Sequence, residues 1–173
     1  MSSDFVSQPN QVSDQHWQNA SPEQLINHIL TRFHQQHREQ LPELIRLARR
    51  VEQVHGSQPA CPNGLAEHLE DMQQELESHM LKEEQILFPM LRRGEQQLAR
   101  GPISVMRFEH EQHEQGLSTL YKLTQNLTLP AGACRTWQAL YEQATLFCVD
   151  LEEHIRLEND ILFAGTSIGQ AAL

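Results

Sequence analysis

Apolar residues recur every three or four positions along four segments of the chain, and shorter polar segments separate them. This spacing places each apolar set on one face of an α-helix. The predicted helices cover about 21–54, 62–91, 101–126 and 136–163. Because the connections are short, neighbouring helices must run antiparallel. The pattern therefore predicts an all-α, up-down-up-down four-helix bundle.

Prolines and capping residues predict where helices begin and bend. Ser21 is a typical N-cap residue, and Pro22 suits the first helical position. Gly101–Pro102 is predicted to open the third helix in the same way. Pro42 lacks a backbone N–H and disfavours the α conformation in the residue before it. We therefore predict that the first helix is kinked near Pro42.

The periodic region defines one domain with a segment on either side. Residues 1–20 are polar and lack periodicity, so they are predicted to form a flexible N-terminal segment. The bundle is expected to span residues 21–165, and residues 166–173 are expected to be a frayed tail.

Composition excludes several classes of protein. The 173 residues include 13 Lys and Arg against 23 Asp and Glu, a net charge of −10, which argues against a nucleic-acid partner. No apolar stretch approaches the roughly 18 residues of a membrane span, and no secretory signal is recognisable. Three cysteines in no framework spacing are typical of reduced thiols. A cytoplasmic protein is therefore expected.

A repeat within the sequence is its most informative feature. Residues 79–88 read HMLKEEQILF, and residues 154–163 read HIRLENDILF. Both follow the pattern H-x-x-x-E-x-x-I-L-F, one on the second predicted helix and one on the fourth. Residues four apart on a helix point the same way, so each copy projects an imidazole and a carboxylate in one direction.

On the second helix this direction is the apolar face, near whose centre His79 and Glu83 lie. Burying an ionised glutamate without a partner is very costly. The second copy of the repeat would bury Glu158 beside His154 in the same way. Two buried glutamates require a compensating positive charge. A shared pair of metal ions supplies it.

The other two helices also offer histidines. His110 lies on the apolar stripe of the third helix, while His34 and His37 flank Phe33 on the first. The helical wheel places His37 nearer the centre of the apolar arc and His34 nearer its edge. Four imidazoles and two carboxylates suit two metal ions bridged by the carboxylates. Such mixed ligation favours iron, with manganese or zinc as alternatives.

These residues lie within stretches that resemble a known family. HREQLPELI (37–45), SHMLKEEQILFPM (78–90), GPISVM (101–106) and the second H-x-x-x-E copy resemble hemerythrin-type (HHE) domains, and among them the repair-of-iron-centres proteins. The resemblance implies a non-haem di-iron centre, carboxylate- and oxo-bridged. The residues that it assigns to the metal ions are His34, His79, Glu83, His110, His154 and Glu158.

The resemblance also implies a function. Such proteins help to restore iron–sulfur clusters damaged by nitrosative or oxidative stress, by donating iron or by nitric oxide chemistry at the di-iron centre. The implied partners are damaged iron–sulfur proteins, and nitric oxide or oxygen as small ligands. An iron-donating protein is expected rather than a conventional enzyme, as a monomer or weak dimer.

The sequence departs from the family pattern at two places. The usual repair protein carries an N-terminal domain with a Cys-Cys pair, whereas residues 1–20 contain no cysteine, so that domain is expected to be missing. The oxygen carriers have His-x-x-x-His on the third helix, but Glu114 follows His110 here. Reversible oxygen transport is therefore disfavoured, and an inward-facing Glu114 is expected as a ligand, a proton relay or half of an ion pair.

Alternative interpretations remain open at this point. The centre could bind oxygen or nitric oxide as a sensor, store iron, or hold a zinc pair that neutralises the buried glutamates. His37 is expected to hydrogen-bond a liganding histidine, and His55 to play an accessory or structural role. The remaining histidines are expected on helix surfaces: His16, His28, His68 and His113.

Overall fold

The computed structural model describes residues 9–166, with side chains for residues 14–165. It contains seven α-helices and three single π-turns within that range. They are α1 (Pro9–Asn19), α2 (Pro22–Ile29), π1 (Leu30–His34), α3 (Gln35–His55), α4 (Leu65–Lys82), π2 (Glu83–Leu87), α5 (Phe88–Arg92), α6 (Gln96–Leu123), α7 (Arg135–Leu157) and π3 (Glu158–Leu162). These residues contain no strand, and the predicted all-α fold is confirmed.

The helices assemble into four long rods. The first rod is α2–π1–α3, the second is α4–π2–α5, the third is α6 and the fourth is α7–π3. Helix α3 packs against both α4 and α7, and α6 closes the bundle by packing against α4 and α7. Within the described residues, no helix combines the length and hydropathy needed to cross a bilayer.

The apolar core is divided into two clusters. One cluster lies among α3, α4, α6 and α7 and includes Leu44, Leu69 and Phe147. The other lies among α2, α5, the first half of α6 and π3, and includes Ile26 and Phe88. Along every rod, the sequence passes from one cluster to the other through a polar stretch, so a polar layer separates the two clusters.

The predicted helix start at Ser21 is confirmed. The Ser21 hydroxyl accepts a hydrogen bond from the backbone N–H of Gln24, and the Gln24 side chain accepts one from the Ser21 N–H. Pro22 occupies the first helical position. Together they satisfy backbone donors that a helix N-terminus otherwise leaves unpaired.

Pro42 does not break the first rod, and the kink predicted near it stays a prediction. Helix α3 continues through Pro42, and the irregularity in this rod is the π-turn that ends at His34. A proline removes one helical hydrogen bond, but Leu41, Leu44 and Ile45 are all buried around it. Packing of these side chains stabilises the helix on both sides of Pro42.

The start predicted for the third helix is also wrong. Helix α6 begins at Gln96, so that Pro102 lies inside it. Ala99, Ile103 and Met106 form one buried stripe at helical spacing. The apolar stripe therefore begins on the N-terminal side of Pro102. Burial of that stripe stabilises the helix there as well.

The N-terminal segment differs from its prediction as well. Residues 9–19 form helix α1 rather than an irregular segment. Arg156 of α7 donates two hydrogen bonds to the carboxylate of Asp14, and the Trp17 ring packs against His28. These contacts hold α1 against the bundle. Residues 167–173, which make up most of the predicted frayed tail, lie outside the described residues.

Candidate metal centre

The three π-turns lie where the predicted metal ligands are. His34 is the last residue of π1, Glu83 the first of π2 and Glu158 the first of π3. In π3 the backbone N–H of Phe163 donates to the carbonyl of Glu158, five residues back, at 2.8 Å. Phe88 makes the equivalent bond to Glu83. A π-turn adds one residue to an α-helix and is frequent at functional sites.

The repeated I-L-F tripeptide shows what the extra residue does. Ile86 is 48% exposed, whereas Leu87 and Phe88 are buried. In the second copy Leu162 and Phe163 are likewise buried. Uninterrupted α periodicity predicts an inward Ile86, and that prediction is wrong. The π-turn inserts one residue into the helix, so each inward position after it is shifted by one. The Leu-Phe pair therefore faces the core.

The structure brings all six predicted ligands together in the polar layer. At most 1% of the surface of each of these residues is exposed to solvent. They form two overlapping groups, within each of which the possible ligand atoms lie within 4.8 Å of one another. The groups are His34, Glu83, His154 and Glu158, and His79, Glu83, His110 and Glu158.

The two glutamates belong to both groups because each presents one oxygen to each side. Glu83 Oε2 lies 3.1 Å from His34 Nε2, and Glu83 Oε1 lies 3.2 Å from His79 Nε2. Glu158 Oε1 lies 2.7 Å from His154 Nε2, and its Oε2 lies 2.9 Å from His110 Nε2. Glu83 and Glu158 could therefore each contribute one oxygen to either of two bound cations.

Unpartnered polar atoms test whether the residues fit metal ions. Both oxygens of Glu83, Oε2 of Glu158 and Nε2 of His34 are enclosed and make no hydrogen bond of acceptable geometry. Buried polar atoms rarely lack partners, and leaving them so is costly. Because these atoms are carboxylate oxygens and an imidazole nitrogen that converge on one region, the donor set fits two transition-metal ions.

The Nδ1 atom of each of the four predicted imidazole ligands is fixed by a neighbour. His34 Nδ1 donates to Glu84 at 2.9 Å, and His79 Nδ1 donates to Glu109 at 2.8 Å. His110 Nδ1 donates to the side-chain oxygen of Asn159 at 2.8 Å. Such bonds place the proton on Nδ1 and leave the Nε2 lone pair directed into the centre.

His154 is oriented through a longer chain, in which His37 is the first member. His37 Nε2 lies 3.1 Å from His154 Nδ1, and His37 Nδ1 lies 3.2 Å from the Gln40 oxygen. Gln40 in turn donates to Asp150, which accepts a bond from Arg32 at the surface. The predicted role of His37 as a hydrogen-bonding neighbour is confirmed. Asp150 acts on His154 only through this chain.

The electrostatics of the pocket favour a bound cation. Burial alone would raise the pKa of Glu158, but His154, His110 and His34 hold that pKa well below its usual value. Burial lowers the pKa of His34, yet Glu158 and Glu83 raise it to about 10. For His154 burial prevails and its pKa is lowered. A buried ionised glutamate thus lies among imidazoles, which is a suitable setting for metal ions.

An aromatic ring packs against each of the four imidazoles. Phe33 stacks on His154, Phe88 on His34 and Phe163 on His110, with ring centroids 5.3, 5.7 and 5.9 Å apart. The ring against His79 is a further imidazole, His113, at 4.8 Å. These rings separate the polar layer from water.

Two predictions on the third rod are wrong. His113 is buried rather than on the surface, and Glu114 is exposed rather than inward-facing. Met106, His110, His113 and Leu117 lie on one stripe with steps of four, three and four residues. The alternating steps of four and three residues place His113, not Glu114, on the apolar face after His110. This spacing can be read from the sequence.

Other predicted candidates lie away from the centre. His55 is next to Cys134, with 3.2 Å between Nε2 and Sγ, which agrees with an accessory role. His68 is half-buried and its Nε2 donates to the Gly116 carbonyl at 2.7 Å. Cys148 is buried, as its apolar neighbours predict.

Among the residues that orient the imidazoles, His37 is predicted from the sequence, and Glu84, Glu109 and Asn159 are not. Glu84 and Asn159 occupy the same place in the two repeat copies, directly after the bridging glutamate. Each reaches a histidine on another rod. The polar residue after each glutamate was the available signal, but the partner of each depends on how the rods pack.

The chain is similar to known proteins over most of its length. The family described as the hemerythrin HHE cation binding domain matches residues 25–164. The chain belongs to this family. A hemerythrin-type domain holds a di-iron centre, and the family assignment agrees with the buried histidines and glutamates of the polar layer.

Curated relatives lie within the same family. The chain is 52% identical over 151 residues to "Iron-sulfur cluster repair protein YtfE" of Yersinia pestis (strain Pestoides F). The protein of the same name from Yersinia pseudotuberculosis serotype O:1b (strain IP 31758) matches equally well. Each match covers 87% of this chain and 68% of the relative.

Proposed function

We propose that this chain is a non-haem di-iron protein that takes part in the repair of iron–sulfur clusters damaged by nitrosative or oxidative stress. The observation that carries the proposal is the pair of overlapping ligand groups that share Glu83 and Glu158. The similarity to proteins named for iron–sulfur cluster repair supports it.

In this proposal the first group holds one iron ion through His34 and His154. The second group holds the other through His79 and His110, with both glutamates as bridges. When bound, the iron pair supplies one-electron redox chemistry and an ion that can be passed to a damaged cluster. Four imidazoles and two carboxylates are fewer donors than two octahedral ions take, so the donor set would leave room for a small ligand such as nitric oxide.

The chain's own residues prepare the centre for release as well as for binding. Carboxylate bridges can change their binding mode, and no thiolate takes part in either group. Arg38 donates to Glu84 at 2.8 Å, and Lys82 pairs with Glu109. These cations lie behind the carboxylates that orient His34 and His79, so they limit how strongly those imidazoles donate to metal.

A reactivation assay tests the repair function. The iron-loaded protein, with reductant, is added to an enzyme whose [4Fe–4S] cluster nitric oxide has damaged, and we expect activity to return. The double variant Glu83→Gln with Glu158→Gln keeps the side-chain volume and removes both bridging charges, so it should restore little activity.

The matched control for that assay changes two exposed glutamates elsewhere on the bundle, Glu67→Gln on α4 with Glu111→Gln on α6. It should restore activity like the unaltered protein. Recovery of the damaged enzyme by the Glu83 and Glu158 variant to the same extent would contradict the proposal. Anaerobic transfer of labelled iron from the protein to the enzyme then distinguishes iron donation from nitric oxide chemistry.

The setting of this function is part of the proposal. We place the protein in the cytoplasm, as a monomer or weak dimer that contacts damaged iron–sulfur proteins transiently. Its three cysteines, Cys61, Cys134 and Cys148, are unpaired, which is typical of a reducing compartment.

A further inference from the structure

His113 differs from the rings that pack against the other three liganding imidazoles. Those rings belong to phenylalanines, Phe33, Phe88 and Phe163. The His113 ring meets His79 edge-on, at an interplanar angle of 89°. His37 also stacks on His154, but its two ring nitrogens have partners in His154 and Gln40, whereas the Nε2 of His113 is enclosed without one.

That nitrogen has nothing to bond within the described chain. Only 4% of the His113 surface is exposed, and its Nε2 is enclosed without a hydrogen-bond partner. A buried imidazole nitrogen without a partner is costly, and a phenylalanine would avoid the cost. A group that is not part of the chain would satisfy it.

The position of His113 indicates what that group is. Its ring centroid lies 4.8 Å from that of His79 and 6.4 Å from that of His110, the two imidazoles of the second ligand group. His113 does not itself belong to that group. It is thus close enough to contact a small ligand on the second metal ion, but it is not one of the ion's own ligands.

A surface cleft leads to the same residue. It has a volume of about 300 Å³ and lies between α4 and α6, lined by Gln74, Glu75, Ser78, Glu109, Gln112 and His113. Glu109 is the carboxylate that accepts the His79 Nδ1 hydrogen bond. The cleft is therefore open to small molecules on the His79 side of the centre, and His113 is the most deeply buried residue in contact with it.

We propose that His113 is the hydrogen-bonding residue for an exogenous small ligand on the metal ion held by His79 and His110. The ligand class is a small anion or diatomic molecule with an exposed oxygen or nitrogen acceptor. His113 Nε2–H donates to that acceptor and so selects such ligands over apolar ones of equal size. This inference rests on the di-iron centre proposed above, but not on the repair reaction.

Azide binding to the oxidised, iron-loaded protein tests the role of His113. The absorption band that azide gives on ferric iron reports its dissociation constant, and iron analysis reports the metal content. His113→Phe keeps an aromatic ring against His79. Phenylalanine rings already pack in this way against the other three imidazoles. We expect this variant to retain two iron ions per chain. It should bind azide about tenfold more weakly, because it loses one hydrogen bond to a charged ligand.

Two further variants complete the test. His113→Gln offers an amide donor and should recover most of the azide affinity. His68→Gln alters a half-buried histidine that also lies between α4 and α6, and it should bind azide normally. Both variants should hold two iron ions.

Three results would overturn the proposal. One is equal azide affinity in the unaltered protein and in His113→Phe, both with two iron ions. Another is a fall to one iron ion in folded His113→Phe, which would make His113 a direct ligand. The third is an unaltered protein that holds two iron ions and binds no azide. Failure of cluster repair in the reactivation assay would affect none of these readouts.

Discussion

At the scale of single residues, the centre depends on pairs of atoms on opposite sides of each imidazole ring. One nitrogen faces the carboxylates, and the other donates to a fixed neighbour such as Glu84, Glu109 or Asn159. The metal-facing histidines could be predicted from the sequence because their spacing is local to one helix. Glu84, Glu109 and Asn159 could not, because they belong to other rods than the histidines that they bond.

Removing one liganding imidazole should remove iron. We expect His79→Leu or His154→Leu to lower the bound iron below two per chain, because each residue belongs to only one of the two ligand groups. Iron analysis of protein purified under the same conditions measures this. His68→Leu serves as the control, and an unchanged iron content in His79→Leu and His154→Leu would exclude both residues from the centre.

The cysteines should differ in reactivity. Burial raises the pKa of the Cys148 thiol to about 12, so almost none of it is thiolate at pH 8. Cys134 is only half-buried. Alkylation by iodoacetamide at pH 8, followed by mass spectrometry, should modify Cys134 well before Cys148. Equal labelling rates in the folded protein would contradict this expectation.

At the scale of helical elements, the three π-turns decide which side chains face the centre. The repeat H-x-x-x-E-x-x-I-L-F has a structural meaning that its α periodicity does not reveal: the helix gains a residue immediately after the first glutamate. Both copies do so, which explains why Leu87 and Phe88, and again Leu162 and Phe163, are buried as adjacent pairs.

Deleting the exposed Ile86 should convert π2 into regular α-helix. Leu87 and Phe88 would then occupy the inward positions that α periodicity allots, so the bundle should still fold. The carbonyl and side chain of Glu83 would lose the geometry set by the π-turn, and we expect fewer than two iron ions per chain.

Circular dichroism and iron analysis together measure the effect of that deletion. Deletion of Ser57 in the exposed loop between α3 and α4 is the matched control and should leave both unchanged. A folded Ile86 deletion variant with two iron ions would show that the π-turn is not needed for metal binding.

At the scale of the whole molecule, a polar layer lies between two apolar clusters. Each rod contributes to the layer, so metal ions held there would connect all four. A ligand that binds only the folded state stabilises it, by about 4 kcal/mol when its concentration is 1,000 times its dissociation constant. The metal pair should therefore contribute to the stability of the bundle as well as to its function.

Thermal unfolding tests this coupling. We expect anaerobic addition of ferrous iron to raise the Tm of metal-stripped protein by roughly 10 °C, from the linkage above and the Tm shift per kcal/mol for a chain of this size. Glu83→Gln with Glu158→Gln should show almost no shift, whereas Glu67→Gln with Glu111→Gln should behave normally. An equal rise in all three proteins would indicate that iron binds elsewhere.

The sequence by itself determined the helical bundle, the two buried His–Glu pairs, His79–Glu83 and His154–Glu158, and the inward position of His110. These features follow from periodicity and from i, i+4 spacing within single helices, which are local properties of the chain. The tertiary structure alone decided that the helix continues through Pro42, and that His113 rather than Glu114 faces inward. It also decided which neighbour orients each imidazole. Those outcomes depend on packing between rods, where burial of side chains outweighs local backbone preference.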